Sequence, residues 1–156
     1  CPLADPVERI SGARVAVFVY VDLFMLPMRC CAREDLALSV LATFISQRAE
    51  ERAVWIDAGT LALSSERSLD RVGAGGYGEV TRADGSPLPG SPRVVSLNQE
   101  HGKVAATEGE LAIEDLLPGT LVRVWPNHAC ITAAMHDHYL VLERGEIGAR
   151  WPRLRG

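Results

Sequence analysis

The chain lacks several features that would assign it to a class at once. It has no excess of basic residues, and its formal net charge of −4 argues against a nucleic-acid partner, because phosphate binding requires a basic surface. No apolar run reaches the length of a membrane-spanning helix, so we expect no membrane partner. The opening CPLADPVERISG has no basic segment followed by an apolar one, and it therefore does not resemble a signal peptide.

Cysteine is scarce and irregularly spaced. The four cysteines are Cys1, Cys30, Cys31 and Cys130, and no CxxC pair occurs. Adjacent Cys30 and Cys31 are poorly placed to bridge each other, and nothing in the spacing is typical of a disulfide scaffold. We therefore expect a reduced, cytoplasmic protein.

The remaining composition is typical of a globular domain. Hydrophobic residues make up 47% and charged residues 23% of 156 positions, enough for one domain with a core. The chain begins with cysteine instead of methionine. We therefore expect residues 1–156 to be a single β-domain and a fragment of a longer protein.

Short strands separated by turns dominate the pattern. Segments 13–26, 36–48 and 52–59 are rich in β-branched and aromatic residues and predict strands. Segments 73–80 and 82–92 are rich in glycine and proline and predict loops. Five shorter strands then follow: RVVSL, GKVAAT, TLVRVWP, YLVLERG and EIGARW. Turns are expected at Pro118-Gly119 and Arg144-Gly145. This pattern predicts a mainly β fold with little helix, a closed antiparallel barrel or a sandwich.

The stretch VWPNHACIT contains a candidate metal site. Residues two apart on an extended strand point the same way, so His128 and Cys130 can converge on one ion. Both are zinc ligands, and two protein ligands with open positions are typical of a catalytic site. A buried cysteine beside a hydrogen-bonded histidine has the same spacing, however. His136 and His138 repeat that spacing, His101 is a further candidate, and the pattern alone does not choose among them.

Six ordered motifs resemble the C-terminal part of the D-serine dehydratase and D-threonine aldolase family, pyridoxal-phosphate enzymes of the alanine-racemase-like type. They are VYVDLF (19–24), DAGTLALS (57–64), GYGEV (76–80), SLNQEHG (96–102), PNHACIT (126–132) and WPRLRG (151–156). Each motif is weak alone, but their order and spacing together cover nearly the whole chain. Two positions depart from the family pattern, because Gln99 replaces an acidic residue and Glu66 stands near the place of an aspartate.

The resemblance implies that His128 and Cys130 are the metal ligands. His136 and His138 fall where the family varies, which argues against them. His101, in the EHG motif, and Tyr77, between two glycines, are possible residues facing the active site. Both residues are equally compatible with a role in a turn.

The resemblance also implies the reaction. Family members bind pyridoxal phosphate through a lysine in an N-terminal (β/α) barrel and act on small D-β-hydroxy amino acids. The single lysine, Lys103, is not at the Schiff-base position, so we expect this chain alone to be inactive, and we assign it no catalytic residue. In the full-length protein the partners expected are the N-terminal barrel and a second copy in a homodimer.

Cys130 bears on which branch of the family the chain resembles. A thiolate favours zinc, and a histidine–cysteine pair resembles the zinc-dependent D-serine dehydratase branch, a lyase of D-amino acid metabolism. A histidine–aspartate pair would resemble the D-threonine aldolase instead. An aldolase-type cleavage and a non-catalytic β-domain that binds a metal or a partner remain the alternatives.

Four further residues carry structural expectations. Tyr20 and Asp22 lie on one face of the first predicted strand, where core packing with a buried hydrogen bond is expected before any contact with a cofactor. Trp151 and Arg155 belong to the closing motif. Trp151 is expected to pack against the N-terminal barrel, and Arg155 to hold an acidic partner there.

Overall fold

The computed structural model describes residues 20–112 and 116–154, except for the side chains of Ala49, Arg71 and Val72. Within these residues the chain forms eight strands and two short α-helices. The strands are β1 (Val40–Arg48), β2 (Ala53–Ile56), β3 (Gly78–Arg82), β4 (Arg93–Leu97), β5 (Gly102–Ala105), β6 (Leu121–Pro126), β7 (His138–Glu143) and β8 (Glu146–Pro152). The helices are α1 (Thr60–Leu63) and α2 (Ala129–Met135).

Six of the strands close into an antiparallel barrel in the order β1-β2-β5-β4-β3-β6. Strands β7 and β8 form a separate two-stranded sheet. The predicted mainly β fold with little helix is therefore confirmed, and the barrel is the form that it takes. None of the helices in the described residues is long and apolar enough to cross a membrane.

The barrel closes around apolar side chains that its strands direct inward. In β1, Val40, Ala42 and Phe44 are buried, and in β6 Val122 and Val124 are buried. Residues two apart on a strand share a face, so these side chains fill the interior together with those of the other four strands. Each buried valine or phenylalanine contributes about 1.5–3 kcal/mol relative to an exposed one.

Both predicted turns are present. Arg144 and Gly145 have φ values of +55° and +88° and join β7 to β8. Two successive positive φ values are what a tight hairpin turn with the twist of its strands requires. Gly119 has a φ of +95°, and the backbone N–H of Thr120 donates to the carbonyl of Leu117 just before β6.

The strand order brings five of the motif segments to one end of the barrel, here called the site rim. At this rim β3 begins opposite the end of β6, with Gly78 paired to Pro126. β5 begins there opposite the ends of β2 and β4, with Gly102 paired to Ile56 and to Leu97. The segments before β1, β3 and β5 and after β2 and β6 therefore meet here.

Two of the strand and loop predictions are wrong in part. Residues 13–19 of the first predicted strand lie outside the described residues, and the remainder contains the 3-10 helix Leu23–Met25. Leu23 packs with Leu36 and Leu69 in a small apolar cluster apart from the barrel core, so its burial does not require a strand. The predicted loop 73–80 ends too late, because β3 already begins at Gly78 and pairs with β6.

Candidate metal centre

His128 and Cys130 lie at the start of α2, and not on a strand as predicted. His128 precedes the helix with an extended backbone, φ −135° and ψ 116°, and Cys130 is the second helical residue. The strand prediction fails because the chain turns directly after β6 and begins a helix whose first N–H finds an acceptor outside it. The alternation argument for a shared face therefore does not hold, although both side chains remain at one helix end.

Asp22 provides that acceptor. Its Oδ2 atom accepts the backbone N–H of Ala129 at 2.8 Å and lies 3.0 Å from Nδ1 of His128. The Asp22 side chain is fully buried, whereas that of His128 is 26% exposed. The expected buried hydrogen bond of Asp22 is thus confirmed, but it is made from a loop at the site rim.

Asn127, which precedes His128, is held from three directions. Its Nδ2 atom donates to the carbonyls of Gly76 at 2.7 Å and Glu66 at 3.1 Å. Its Oδ1 atom accepts from Nη2 of Arg93 at 2.8 Å. Asn127 is 1% exposed, and burial lowers the pKa of Arg93. This buried network fixes the backbone on the N-terminal side of His128.

Helix α2 is also tied to α1. The hydroxyl of Thr132 donates to the carbonyl of Leu63 at 2.9 Å, deep in the interior. Ser64, which follows Leu63 at the end of α1, has φ +68° and ψ 173°, a region of backbone space that is essentially restricted to glycine. Sequence reasoning missed this position, and strained backbone of this kind clusters at functional sites.

The competing histidines are engaged elsewhere. Nε2 of His136 lies 3.0 Å from the carbonyl oxygen of Ala62, and Nδ1 of His138 lies 3.0 Å from Nη2 of Arg150. His136 directly follows α2, and His138 begins β7. Each ring therefore has a structural partner of its own.

His101 and Tyr77 both lie at the site rim. His101 is exposed in the β4–β5 connection, which accepts the backbone N–H of Thr60 at the start of α1. Tyr77 is partly buried against the barrel core, and its hydroxyl accepts from Nη1 of Arg67 at 3.4 Å. No hydrogen bond or ion pair in the described part of the chain joins either residue to His128. Their roles facing an active site stay predictions.

Cys130 is a free and exposed thiol. It lies near Tyr20, whose pKa is raised by burial, by its hydrogen-bonding neighbour Tyr139 and, less strongly, by the Cys130 sulfur. The rings of Tyr20 and Tyr139 are 5.6 Å apart. Tyr20 and Tyr139 thus form a tilted aromatic pair.

The donor set at the head of α2 fits a soft divalent cation. The imidazole Nε2 of His128 is not used by Asp22, and the Cys130 thiol is accessible. Imidazole nitrogen and thiolate sulfur are zinc ligands. Across residues 20–112 and 116–154 no group of three or more His, Cys, Asp or Glu side chains is arranged to hold a metal ion. His128 and Cys130 would therefore supply two ligands and leave other positions open.

Two of the three other predicted residues can be placed. Lys103 points outward from β5 and forms an ion pair with Glu51. Trp151 on β8 is 58% exposed, so its packing against a further domain stays a prediction. Arg155 lies outside the described residues.

The chain is similar in sequence to a family model and to curated enzymes. Residues 37–142 match the family model described as "Putative serine dehydratase domain". The chain is 38% identical over 157 aligned residues to the D-threo-3-hydroxyaspartate dehydratase of Delftia sp. strain HT23, covering 98% of the chain and 41% of that enzyme. It is 30% identical to the D-serine dehydratase of Dictyostelium discoideum, covering 80% of the chain and 31% of that enzyme.

Solved structures of similar proteins superpose on most of the chain. The Delftia dehydratase superposes on 88% of the chain with a TM-score of 0.80. An alanine-racemase-like protein from Idiomarina loihiensis superposes on 87% with a TM-score of 0.78 at 37% identity. The chain spans about two fifths or less of the length of these proteins. The chain therefore belongs to the serine dehydratase domain family, as its ordered sequence motifs indicate.

Proposed function

We propose that this chain is the metal-binding C-terminal domain of a pyridoxal-phosphate- and zinc-dependent lyase that removes water from small D-β-hydroxy amino acids. The observation that carries the proposal is the pair His128 and Cys130 at the head of α2, on the rim where the family motifs meet. The two curated relatives compared above are both dehydratases by name, which favours dehydration over aldol cleavage.

Structures of the Delftia enzyme support a metal role for a pair of this kind. Variants of that enzyme with one histidine or one cysteine replaced by alanine have been solved, and the two positions are two residues apart. The cysteine variant is described as metal-free. His128 and Cys130 have the same chemistry and the same spacing.

In this proposal the chain's own residues position the substrate side of the site. His128 and Cys130 would hold the ion, which would supply Lewis acidity for departure of the β-hydroxyl of the substrate. Asn127 and Arg93 fix the backbone that carries His128.

We assign the cofactor lysine to another part of the full-length protein. Pyridoxal phosphate supplies the electron sink for such reactions. Lys103 lies on the outer wall of the barrel, and its ammonium forms an ion pair with Glu51. The partner expected to carry the lysine is an N-terminal barrel, and exposed Trp151 is part of the surface available to it.

Metal analysis tests the site. The purified chain is expected to hold about one zinc, and His128→Gln and Cys130→Ala are each expected to lose it. His138→Gln and Cys30→Ala are matched controls that change the same residue types outside the proposed site. Equal zinc content in Cys130→Ala and in the unchanged chain would contradict the proposal.

Product analysis of the full-length protein tests the reaction. Dehydration of D-serine gives pyruvate and ammonia, and dehydration of D-threo-3-hydroxyaspartate gives oxaloacetate and ammonia. Release of glycine and acetaldehyde from D-threonine would identify an aldolase instead.

A further inference from the structure

We propose that Asp22 is a positioning residue that holds His128 in the tautomer needed for metal binding. Its carboxylate keeps the ring proton on Nδ1, so that the Nε2 lone pair is free for a divalent cation. This inference rests on the proposed metal site at His128 and Cys130.

The position of the His128 ring proton follows from which of the contacting atoms can donate and which can accept a hydrogen bond. Oδ2 of Asp22 accepts the backbone N–H of Ala129 at 2.8 Å, and the oxygens of an ionised carboxylate only accept hydrogen bonds. Nδ1 of His128, 3.0 Å from the same atom, must then donate. A neutral imidazole carries one N–H, and its other nitrogen is left as an acceptor or a metal ligand.

The two neighbouring histidines are set the opposite way. Nε2 of His136 faces the carbonyl oxygen of Ala62, which can only accept, so the proton is on Nε2. Nδ1 of His138 faces the guanidinium of Arg150, which can only donate, so the proton is again on Nε2 in the neutral ring. Of these three rings, only His128 is left with an open Nε2 lone pair.

Asp22 also fixes the position of the ring. Its segment is joined to the residue before His128, since the backbone N–H of Phe24 donates to the carbonyl of Asn127 at 3.2 Å. The carboxylate itself is joined to the residue after His128, Ala129. The backbone on both sides of His128 is therefore tied to the Asp22 segment, and the ring itself contacts the fully buried carboxylate.

A bound cation would compensate a charge that the described residues leave incompletely satisfied. Oδ1 of Asp22 is buried and has no hydrogen-bond partner among the described residues. A buried carboxylate is costly unless it is paired. A divalent ion on Nε2 places positive charge on the far side of the imidazole, and carboxylate–histidine pairs of this kind increase ligand basicity.

Nitrogen NMR of the metal-free chain tests the tautomer directly. In the unchanged protein, near neutral pH, His128 is expected to carry its proton on Nδ1, and His136 and His138 on Nε2. Signals are assigned from their loss in His128→Gln, His136→Gln and His138→Gln. In Asp22→Ala the His128 ring is expected to change to the Nε2–H form, whereas Asp22→Asn, which keeps an acceptor oxygen, retains Nδ1–H.

Zinc affinity, measured by competition with a chromophoric chelator, tests the consequence. Asp22→Ala is expected to weaken zinc binding 10- to 100-fold and Asp22→Asn about tenfold. Asp84→Ala and Asp84→Asn are the matched controls, because Asp84 is an exposed carboxylate in the β3–β4 connection at the opposite end of the barrel.

The two measurements separate this inference from the proposed function. If the unchanged chain binds no zinc at His128 and Cys130, the proposed metal site is wrong. The NMR measurement of the His128 tautomer still tests whether Asp22 positions the ring proton. A His128 proton on Nε2 in the unchanged chain overturns the inference. Unchanged zinc affinity in a folded Asp22→Ala also overturns it, and if Asp22→Ala does not fold, loss of Nδ1–H in Asp22→Asn does so.

Discussion

Arg93 on β4 donates a hydrogen bond from Nη2 to Oδ1 of Asn127, 34 residues later in the sequence, at 2.8 Å in the buried interior. The guanidinium also donates from Nε to the carbonyl of Gly75 at 2.6 Å. Asn127 in turn donates to the carbonyls of Gly76 and Glu66. The buried amide of Asn127, the residue before His128, therefore connects to β4 through Arg93, to the segment before β3 through Gly76, and to Glu66.

Removing this amide should destabilise the fold. Asn127→Ala is expected to lower the free energy of unfolding by about 3 kcal/mol, because the buried partners of the amide lose their hydrogen bonds. Urea denaturation measures the change. Asn98→Ala, on an exposed loop, should change the free energy of unfolding by less than about 0.5 kcal/mol.

A double-variant cycle tests whether Arg93 and Asn127 act together. Arg93→Met should lower the free energy of unfolding by about 1 kcal/mol less in the Asn127→Ala background than in the unchanged chain. Additive effects would show that the two side chains do not form a network.

Gly59 should not tolerate a side chain. A Cβ atom there would lie 2.5 Å from the carbonyl oxygen of Asn98 and 2.5 Å from the backbone nitrogen of His101. Since both neighbours are backbone, Gly59→Ala is expected to lower the free energy of unfolding by about 2 kcal/mol, measured by thermal denaturation.

The matched control is Gly75→Ala. A Cβ at Gly75 would meet only the Asp70 carboxylate, at 3.7 Å, so little change is expected. Equal stability of the two variants would mean that α1 and the β4–β5 connection do not approach as closely as described.

The thiols should differ in reactivity. Burial raises the pKa of Cys31, and the neighbouring Asp35 and Cys30 act in the same direction. Near neutral pH Cys31 is therefore expected to be mostly the unreactive thiol, and to react with iodoacetamide more slowly than exposed Cys130. Peptide mass spectrometry follows each site separately.

The pH dependence of the same labelling provides the control. Because a raised pKa is overcome by raising the pH, the labelling rate of Cys31 should increase as the solution becomes more alkaline. Labelling of Cys31 ahead of Cys130 near neutral pH would contradict the prediction.

Lys103 should not act as a cofactor lysine. Its ammonium is paired with Glu51 on the outer wall of β5, where a charged amine is a poor nucleophile. Incubation of this chain with pyridoxal phosphate followed by borohydride reduction is expected to give no saturable pyridoxyl adduct at Lys103. Glu51→Gln, which removes the pairing charge, is the control for reactivity of the free amine. A saturable, stoichiometric adduct in the unchanged chain would contradict the assignment of the cofactor lysine to another part of the protein.

Zinc should stabilise the chain. A ligand that binds only the folded state adds about 2.7 kcal/mol at a hundred times its dissociation constant, so the midpoint of thermal unfolding should rise with zinc concentration. Cys130→Ala should abolish most of this rise, and a chelator should reverse it in the unchanged chain. An equal rise in both proteins would place the zinc elsewhere.

Much of the fold followed from local pattern alone. Strands β1 and β6 and the turns at Gly119 and Gly145 depend on local properties of the chain and were predicted, although β1 begins at Val40 and not at residue 36. Motif order was enough to indicate the family, because the residue types in PNHACIT and SLNQEHG stand at fixed spacing whatever the fold does with them.

Other features depended on contacts far apart in sequence. Segment 20–26 has the composition of a strand, but Leu23 is buried by Leu36 and Leu69, and Asp22 reaches across 107 residues to the N–H of Ala129. That bond satisfies the first turn of α2 and explains why HAC begins a helix. Periodicity carries no information about an acceptor supplied by a distant loop.

The sequence by itself determined the class of fold, the family and the residue types available for metal binding, since these depend on alternation, turns and spacing within short windows. Only the tertiary structure decided which histidine has an open Nε2 lone pair. That choice is made by Asp22, Ala62 and Arg150, and a ring proton is placed by whichever partner folding brings within hydrogen-bond distance.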